Sequence, residues 1–289
     1  MANLKEVRTR IESVKSTRQI TSAMKLVAAS KLRKAQNAII GIRPYANKLQ
    51  EIMGGLSSSI GGENVFLRAG DEEKVLVVVF SSNKGLCGPF NTNIIKTANR
   101  LIEDKYSQQA SKGNVHVISF GKKGSDFFEK SNLSFDGRYD KIFDALTFDN
   151  VSAVAEKIMD SFKSNAYDKV ELVYNKFINA ATQRIVVENY LPIEASETES
   201  SVNIDYIFEP SKKEIVTELI PKSLKIQLYK AILDSNAAEN GARMTAMHMA
   251  TDNASKMIKE LQLSYNKARQ EAITNEILEV VSGSEALKG

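Results

Sequence analysis

Tryptophan is absent from this chain, histidine occurs only at His116 and His248, and Cys87 is the sole cysteine. A single thiol forbids an internal disulfide and fits a reducing compartment. So little His and Cys leaves scant material for a metal site or for imidazole chemistry, and both histidines read as structural. Long apolar runs are missing too. The longest central one, Val75-Leu76-Val77-Val78-Val79-Phe80, is far shorter than the ~20 residues a membrane-spanning helix needs, so no span is expected. Glycine and proline are absent from residues 3–40, which leaves that stretch free to be one helix.

Acidic residues are scarce at the start. Residues 1–50 carry eleven Lys/Arg against only Glu6 and Glu12, whereas the whole chain is +4, so the remainder is acidic. A basic arm calls for an acidic partner: nucleic acid, anionic lipid or acidic protein loops. The Arg- and Ser-rich start also has the composition of a transit peptide. Its helical spacing runs on without a break to about residue 40, however, and it reads as part of the mature protein.

Leu4, Val7, Ile11 and Val14 repeat at three–four spacing, the seam of a coiled coil. After polar Lys15–Gln19 the seam resumes at Ile20, Met24 and Val27, then at Ala28, Leu32, Ala35 and Ile39, slipping one position each time. Pro44 is expected to kink or end the helix. Gly54-Gly55, Ser57–Ser59, Gly61-Gly62 and Gly70 mark a connection. The periodicity then changes. Strands are expected at Lys74–Phe80 and Val115–Phe120, helices near Asn93–Tyr106, after Gly124 and over Val151–Asn165. Val170–Phe177 and Arg184–Tyr190 follow as a strand pair suited to an antiparallel edge hairpin. Asn203–Phe208 reads as one more short strand, after the acidic stretch Glu194–Ser201 and before Pro210. From about Ser211 to Val281 the chain is helical again, interrupted only by Pro221 and Gly241, with one seam at Met247, Ala250, Ala254, Met257, Leu261 and an overlapping one at Ile258, Leu261, Tyr265, Ala268, Ala272.

At about 1.5 Å per residue the first helix reaches roughly 60–75 Å and the last roughly 100 Å, too long for a domain of this mass. The fold class is therefore α/β: a long antiparallel coiled coil of N- and C-terminal helices with an inserted Rossmann-like α/β domain. Its parts are residues 1–56 (first helix), 71–209 (central domain) and 211–289 (last helix). The longer last helix should outrun its partner at a tip carrying Ile273, Ile277, Leu278, Val280 and Val281. So much apolar surface needs a sleeve from other subunits.

Sharper chemistry finds little support. Neither G-x-G-x-x-G nor G-x-x-x-x-G-K-[ST] occurs. Gly121-Lys-Lys-Gly124 could hold an anion on backbone N–H groups, but reads better as a plain connection. Asp136, Asp140, Asp144 and Asp149 lie in a loop-rich stretch without metal-ligand spacing and read as solvated loop acids. Cys87 has no histidine nearer in sequence than His116 to activate it. A nucleic-acid binder is the alternative from another class, yet the cations of the first helix point in many directions and its first 44 residues contain no aromatic to stack on a base.

Three stretches resemble the gamma subunit of F-type ATP synthase, bacterial type: the start from Leu4 to Lys34, the turn Ser81-Ser-Asn-Lys-Gly-Leu-Cys-Gly-Pro-Phe-Asn91, and Glu260–Gln270 leading into Ile273–Glu279 and Gly283. Pro89 and Ser284 depart from the family pattern, and no inserted cysteine pair of the chloroplast kind is present. The stalk subunit of a vacuolar-type ATPase also has a coiled coil but lacks the α/β domain. The gamma resemblance implies a non-catalytic central-stalk rotor that couples transmembrane ion flow to ATP synthesis or hydrolysis. It implies no cofactor, metal or catalytic residue. Its partners would be the alpha and beta subunits as a hexamer, the epsilon subunit and the membrane c-ring. One copy per complex would lie peripherally at the cytoplasmic face of the bacterial inner membrane, with no membrane span of its own and no nucleic acid. Met24, Arg243, Arg269, Gln270 and Thr274 are carried over as partner-contact or coupling positions.

Overall fold

The structure is a computed structural model that describes residues 4–57, 65–68, 72–193 and 212–286. The expected strand at 203–208, the acidic stretch before it, Pro210 and most of the glycine- and serine-rich connection fall outside these residues. The chain divides into two compact units, Met1–Ala28 with Met244–Gly289, and Ala29–Arg243.

In the larger unit, five strands lie in the order β3-β2-β1-β4-β5: β1 (Val75–Phe80), β2 (Val115–Phe120), β3 (Ser134–Arg138), β4 (Lys169–Phe177) and β5 (Gln183–Leu191). The first four are parallel, and β5 returns antiparallel beside β4, as the short strand spacing suggested. Side chains of β1 alternate between two cores. Leu76, Val78 and Phe80 meet α5 (Phe148–Lys163) and the start of α6 (Lys212–Ala286) through Val154, Ile158, Phe162, Leu224 and Leu228. Val75, Val77 and Val79 meet α2 (Phe90–Lys105) through Ile94, Ala98 and Ile102. Coverage on both faces is why this strand reads as an unbroken apolar run. Gly121 follows β2 at φ +99°, and a Cβ there would run into the Ser81 carbonyl, so the turn into the short α4 (Lys122–Phe128) requires glycine.

Two expectations need correction. The helix α1 (Leu4–Ser57) passes through Pro44 without ending; the residue sits on an exposed face, where a lost backbone hydrogen bond is open to water. β3 lies inside the stretch read as an acidic loop. It is a sheet-edge strand of polar sequence, Ser-Phe-Asp-Gly-Arg, with no apolar alternation to announce it.

The seam of α1 also differs from its reading. Val7, Ile11, Thr21, Ala28, Leu32, Ala35, Ile39, Ala46 and Leu49 are buried, while Ile20 and Val27 are more than half exposed. These buried positions fit one heptad register from end to end, so the phase does not slip. Thr21 holds the seam where Ile20 was expected, and the expected Ala28 holds it without Val27, because small residues let two helices approach closely. In the smaller unit, Met247 and Ala254 of the first run and Ile258 of the second are buried while Met257 is 43% exposed, so a single seam passes from the first run into the second and leaves Met257 outside it. Thr251 Oγ1 lies 2.9 Å from Thr21 Oγ1 and His248 Nδ1 lies 3.3 Å from Lys25 Nζ, so the two segments run antiparallel there. In the larger unit Ala46 and Leu49 pack against Ile226 in the same sense.

Ile39→Ala is expected to cost about 2–5 kcal/mol by emptying a filled seam position, whereas Ile20→Ser should stay within about 0.5 kcal/mol. Urea unfolding of the two variants checks this; equal shifts would contradict the heptad assignment.

The candidate site at the switch point of the sheet

In a doubly wound sheet, ligands bind beyond the carboxyl ends of the strands where the strand order reverses. Here that point lies between β1 and β4, and the chain itself fills it. Ser235 Oγ of α6 sits 3.4 Å from the Phe80 carbonyl at the end of β1. Gly241 lies so near the segment after β4 that an added Cβ would come within 3.0 Å of the Ala180 carbonyl. Arg43 of α1 donates to the Phe177 carbonyl at 2.9 Å and to Asp234 Oδ1 at 2.7 Å. Arg243 donates to the Lys84 carbonyl at 2.8 Å, and its other nitrogen meets Glu239 at 2.6 Å.

The turn after β1 is tied down just as fully. Ser82 Oγ donates to the Lys84 carbonyl at 2.7 Å, and Ser82 N donates to Asn91 Oδ1 at 2.9 Å. Backbone N–H groups in the Gly121–Gly124 loop, the anion cradle considered from sequence, are occupied internally. Lys122 N bonds to Asn83 Oδ1, Lys123 N to the Ser82 carbonyl and Gly124 N to Ser81 Oγ. No donor of these three remains for a phosphate.

Cys87 is buried, with Asn91 Nδ2 3.2 Å from its sulfur. Burial raises its pKa, and the hydrogen bond to Ser82 and the charge of Arg243 reduce that shift without cancelling it. A thiol held protonated is a poor nucleophile. The acids are structural as well. Asp136 lies 2.7 Å from His116 Nδ1 and accepts from the Tyr167 hydroxyl, and Asp140 joins Glu129 and Asp126 around Arg138. Among the described residues no group of His, Cys, Asp and Glu could hold a metal ion, and no helix is long and apolar enough to cross a membrane.

The five carried-over positions do not gather into one site. Met24 is half-buried on α1. Arg243 is held in the larger unit by the contacts above. Arg269, Gln270 and Thr274 are exposed on α6, the Thr274 hydroxyl donating to the Gln270 carbonyl at 2.9 Å. Sequence reading passed over Arg43, Asp234, Ser235 and Gly241. One signal was available: Asp234 follows the apolar run Ala231-Ile232-Leu233, and a charge placed there on a helix must be buried or break the stripe.

A family model described as ATP synthase matches residues 3–287. The ATP synthase gamma chain of Flavobacterium psychrophilum is 54% identical over 292 residues, covering 100% of both chains. That of Cytophaga hutchinsonii is 50% identical, covering 99% of each. The chain belongs to the ATP synthase gamma chain family. Members of that family are central-stalk subunits and not the catalytic ones, which accords with a crevice already full. The fold is shared with chains in cryo-EM structures of mitochondrial ATP synthase. One from Euglena gracilis (OSCP/F1/c-ring, rotational state 3) has a TM-score of 0.68 at 22% identity, covering 98% of this chain and 94% of that one. One from Tetrahymena thermophila (central stalk/c-ring) has a TM-score of 0.59 at 24% identity, covering 80% and 99%.

Burial pushes the Asp234 carboxyl above the ordinary carboxylate range, against the pull of Arg43, Lys230 and the Phe177 backbone. Glu239 is raised for the same reason, against Arg243 and Lys31. A raised acid binds its proton more tightly when folded. Its contribution to stability is complete below the ordinary carboxylate pKa and is lost as pH rises through the folded value. The urea midpoint should therefore fall more steeply across that window in the parent chain than in Asp234→Asn. Parallel pH profiles for the two would contradict it.

Proposed function

We propose that the chain is the turning shaft of a bacterial F-type ATP synthase, one copy per complex, at the cytoplasmic face of the inner membrane. The two long helices, residues 1–56 and 211–289, occupy the bore of the alpha/beta hexamer. The central domain, residues 71–209, meets the epsilon subunit and the c-ring. Ion flow turns the ring and the shaft with it, and the shaft presents a different face to each catalytic subunit in turn.

One observation carries this reading. From Arg269 to Ala286 every residue of α6 is exposed except Ala272, which is half-buried. Ile273, Ile277, Leu278, Val280 and Val281 are between 43% and 73% exposed. A helix in water does not keep five large apolar groups uncovered over so short a stretch without a partner, and a surrounding protein collar supplies one. Arg269, Gln270 and Thr274 stand among them as polar contacts for that collar. Met24 lies on the basic first helix, whose cations suit acidic loops of the catalytic subunits. Arg243 acts from inside, through the turn at Lys84 and Gly85.

Untagged alpha and beta subunits should copurify with a tagged form of this chain from its host, and the chain alone should hydrolyse no ATP. Retention on DNA in a salt-sensitive manner, without either subunit, would sink the proposal in favour of a nucleic-acid binder.

A further inference from the structure

We propose that Arg43 and Asp234 form a register key, a pair of positioning residues that fixes how far α1 and α6 slide along each other and how both are set against the sheet. This rests on the shaft reading above. Along α1 the buried residues Ala28, Leu32, Ala35 and Ile39 run small, large, small, large at a seven-residue repeat, a pattern that ends at Ala46. A displacement by one heptad, about 10 Å, would bring similar side chains together again. Apolar packing alone discriminates weakly between such registers.

Polar groups remove the ambiguity. Asp234 is fully buried, while Arg43 at a position flanking the seam is 34% exposed. One Arg43 nitrogen binds Asp234 Oδ1 at 2.7 Å and the Phe177 carbonyl at 2.9 Å. A single side chain thus joins the first helix, the last helix and the exit of β4. On α6 the residues seven before and seven after Asp234 also face the sheet with something other than an aliphatic group. Gln227 donates to Glu188 Oε1 of β5 at 2.8 Å. Gly241 is the residue that lets the helix approach Ala180. A slip by one heptad in either direction would set Gln227 or Gly241 against Arg43 and carry the carboxylate away from that guanidinium. The groups facing Asp234 are Arg43 from α1, Lys230 of its own helix and Tyr174 from β4.

Buried ion pairs contribute little net stability because desolvation offsets attraction, and their best-attested use is to specify register. Arg43 and Asp234 both lie in the larger unit, so the pair sets the segments of α1 and α6 in that unit against each other and against the sheet. A shaft that must show a defined face to its surroundings needs that index.

The test replaces both partners by apolar groups of similar size, Arg43→Met with Asp234→Leu, in the full chain expressed with its complex. Membrane vesicles are assayed for ATP hydrolysis and for ATP-driven membrane potential with a voltage-sensitive dye, which reads either coupling ion. The purified chain is melted in parallel. The expected result is a melting temperature equal to or above that of the parent, alpha and beta subunits still copurifying, hydrolysis maintained, and potential generated per ATP hydrolysed reduced by half or more. Arg43→Lys, which keeps the charge but not the planar fork, should fall between the two. An unchanged ratio of potential to hydrolysis would overturn the proposal. So would hydrolysis and potential falling together with the melting temperature, since the pair would then be an ordinary stabilising contact. Failure of the parent chain itself to copurify with alpha and beta would instead condemn the shaft reading.

Discussion

Removing a carboxylate from water costs several kcal/mol before any partner is supplied, and the larger unit of this chain accepts that cost at Asp234. What compensates it is an arginine from the opposite end of the sequence and a crevice built from strand ends. Arg43 and Asp234 lie 191 positions apart along the chain, so the sheet must form and both helices must arrive before the carboxylate is paired. The pair therefore belongs to the assembled state alone. Around it the polar ties of α6 to the sheet follow in order: Gln227 to Glu188, Ser235 near the Phe80 carbonyl, Arg243 to the turn after β1.

That arrangement places parts of the chain itself where a sheet of this topology usually holds a ligand. A doubly wound sheet offers two features to a ligand, the crevice at its switch point and the N–H groups of the loops that border it. The first is filled by a helix of the same molecule. The second is closed by Ser81, Ser82 and Asn83, which accept from Gly124, Lys123 and Lys122. The fold keeps the geometry of a binding site and has taken its own C-terminal helix as the bound partner. Fold alone never implies activity, and here the reason can be stated atom by atom. Within the Ser81–Asn91 motif, the Lys84 and Gly85 carbonyls anchor Arg243 of α6, and Ser82 and Asn91 hydrogen-bond around the buried Cys87.

Much of the architecture was legible because it is written in periodicity. The apolar run of β1, the alternation of strand and helix, and the two long helices each follow from how side chains repeat along a chain. β3 was not legible, because an edge strand exposed to water on one side has no need of an apolar pattern. The seam of α1 was misread for a different reason. Ile20 is larger and more hydrophobic than Thr21, and Val27 than Ala28, so a reading by hydrophobicity takes Ile20 in place of Thr21 and adds Val27 beside Ala28. Two helices in close contact choose by size instead, and the hydroxyls of Thr21 and Thr251 satisfy each other across the contact at 2.9 Å. The site itself was the least legible part. Arg43 looks like one more cation on a basic helix, and only the fold shows that it is the one turned inward to the carboxylate of residue 234.

The last helix is where these threads meet, because its surroundings change along its length. Between Ile220 and Ile232 it contributes Ile220, Leu224, Leu228, Ala231 and Ile232 to the core of the larger unit, so apolar groups lie on more than one face. Between Met247 and Ile258 burial narrows to a single seam. Beyond Ala272 every described residue of α6 is exposed, yet Ile277, Leu278 and Val280 remain apolar. No single hydrophobic stripe can satisfy three such environments, and a helix that obeys all three has different apolar bearings at different heights. A symmetric rod could be built from one uniform heptad repeat. Departure from uniformity is therefore written into the sequence of α6 itself, segment by segment, as each stretch meets its own surroundings.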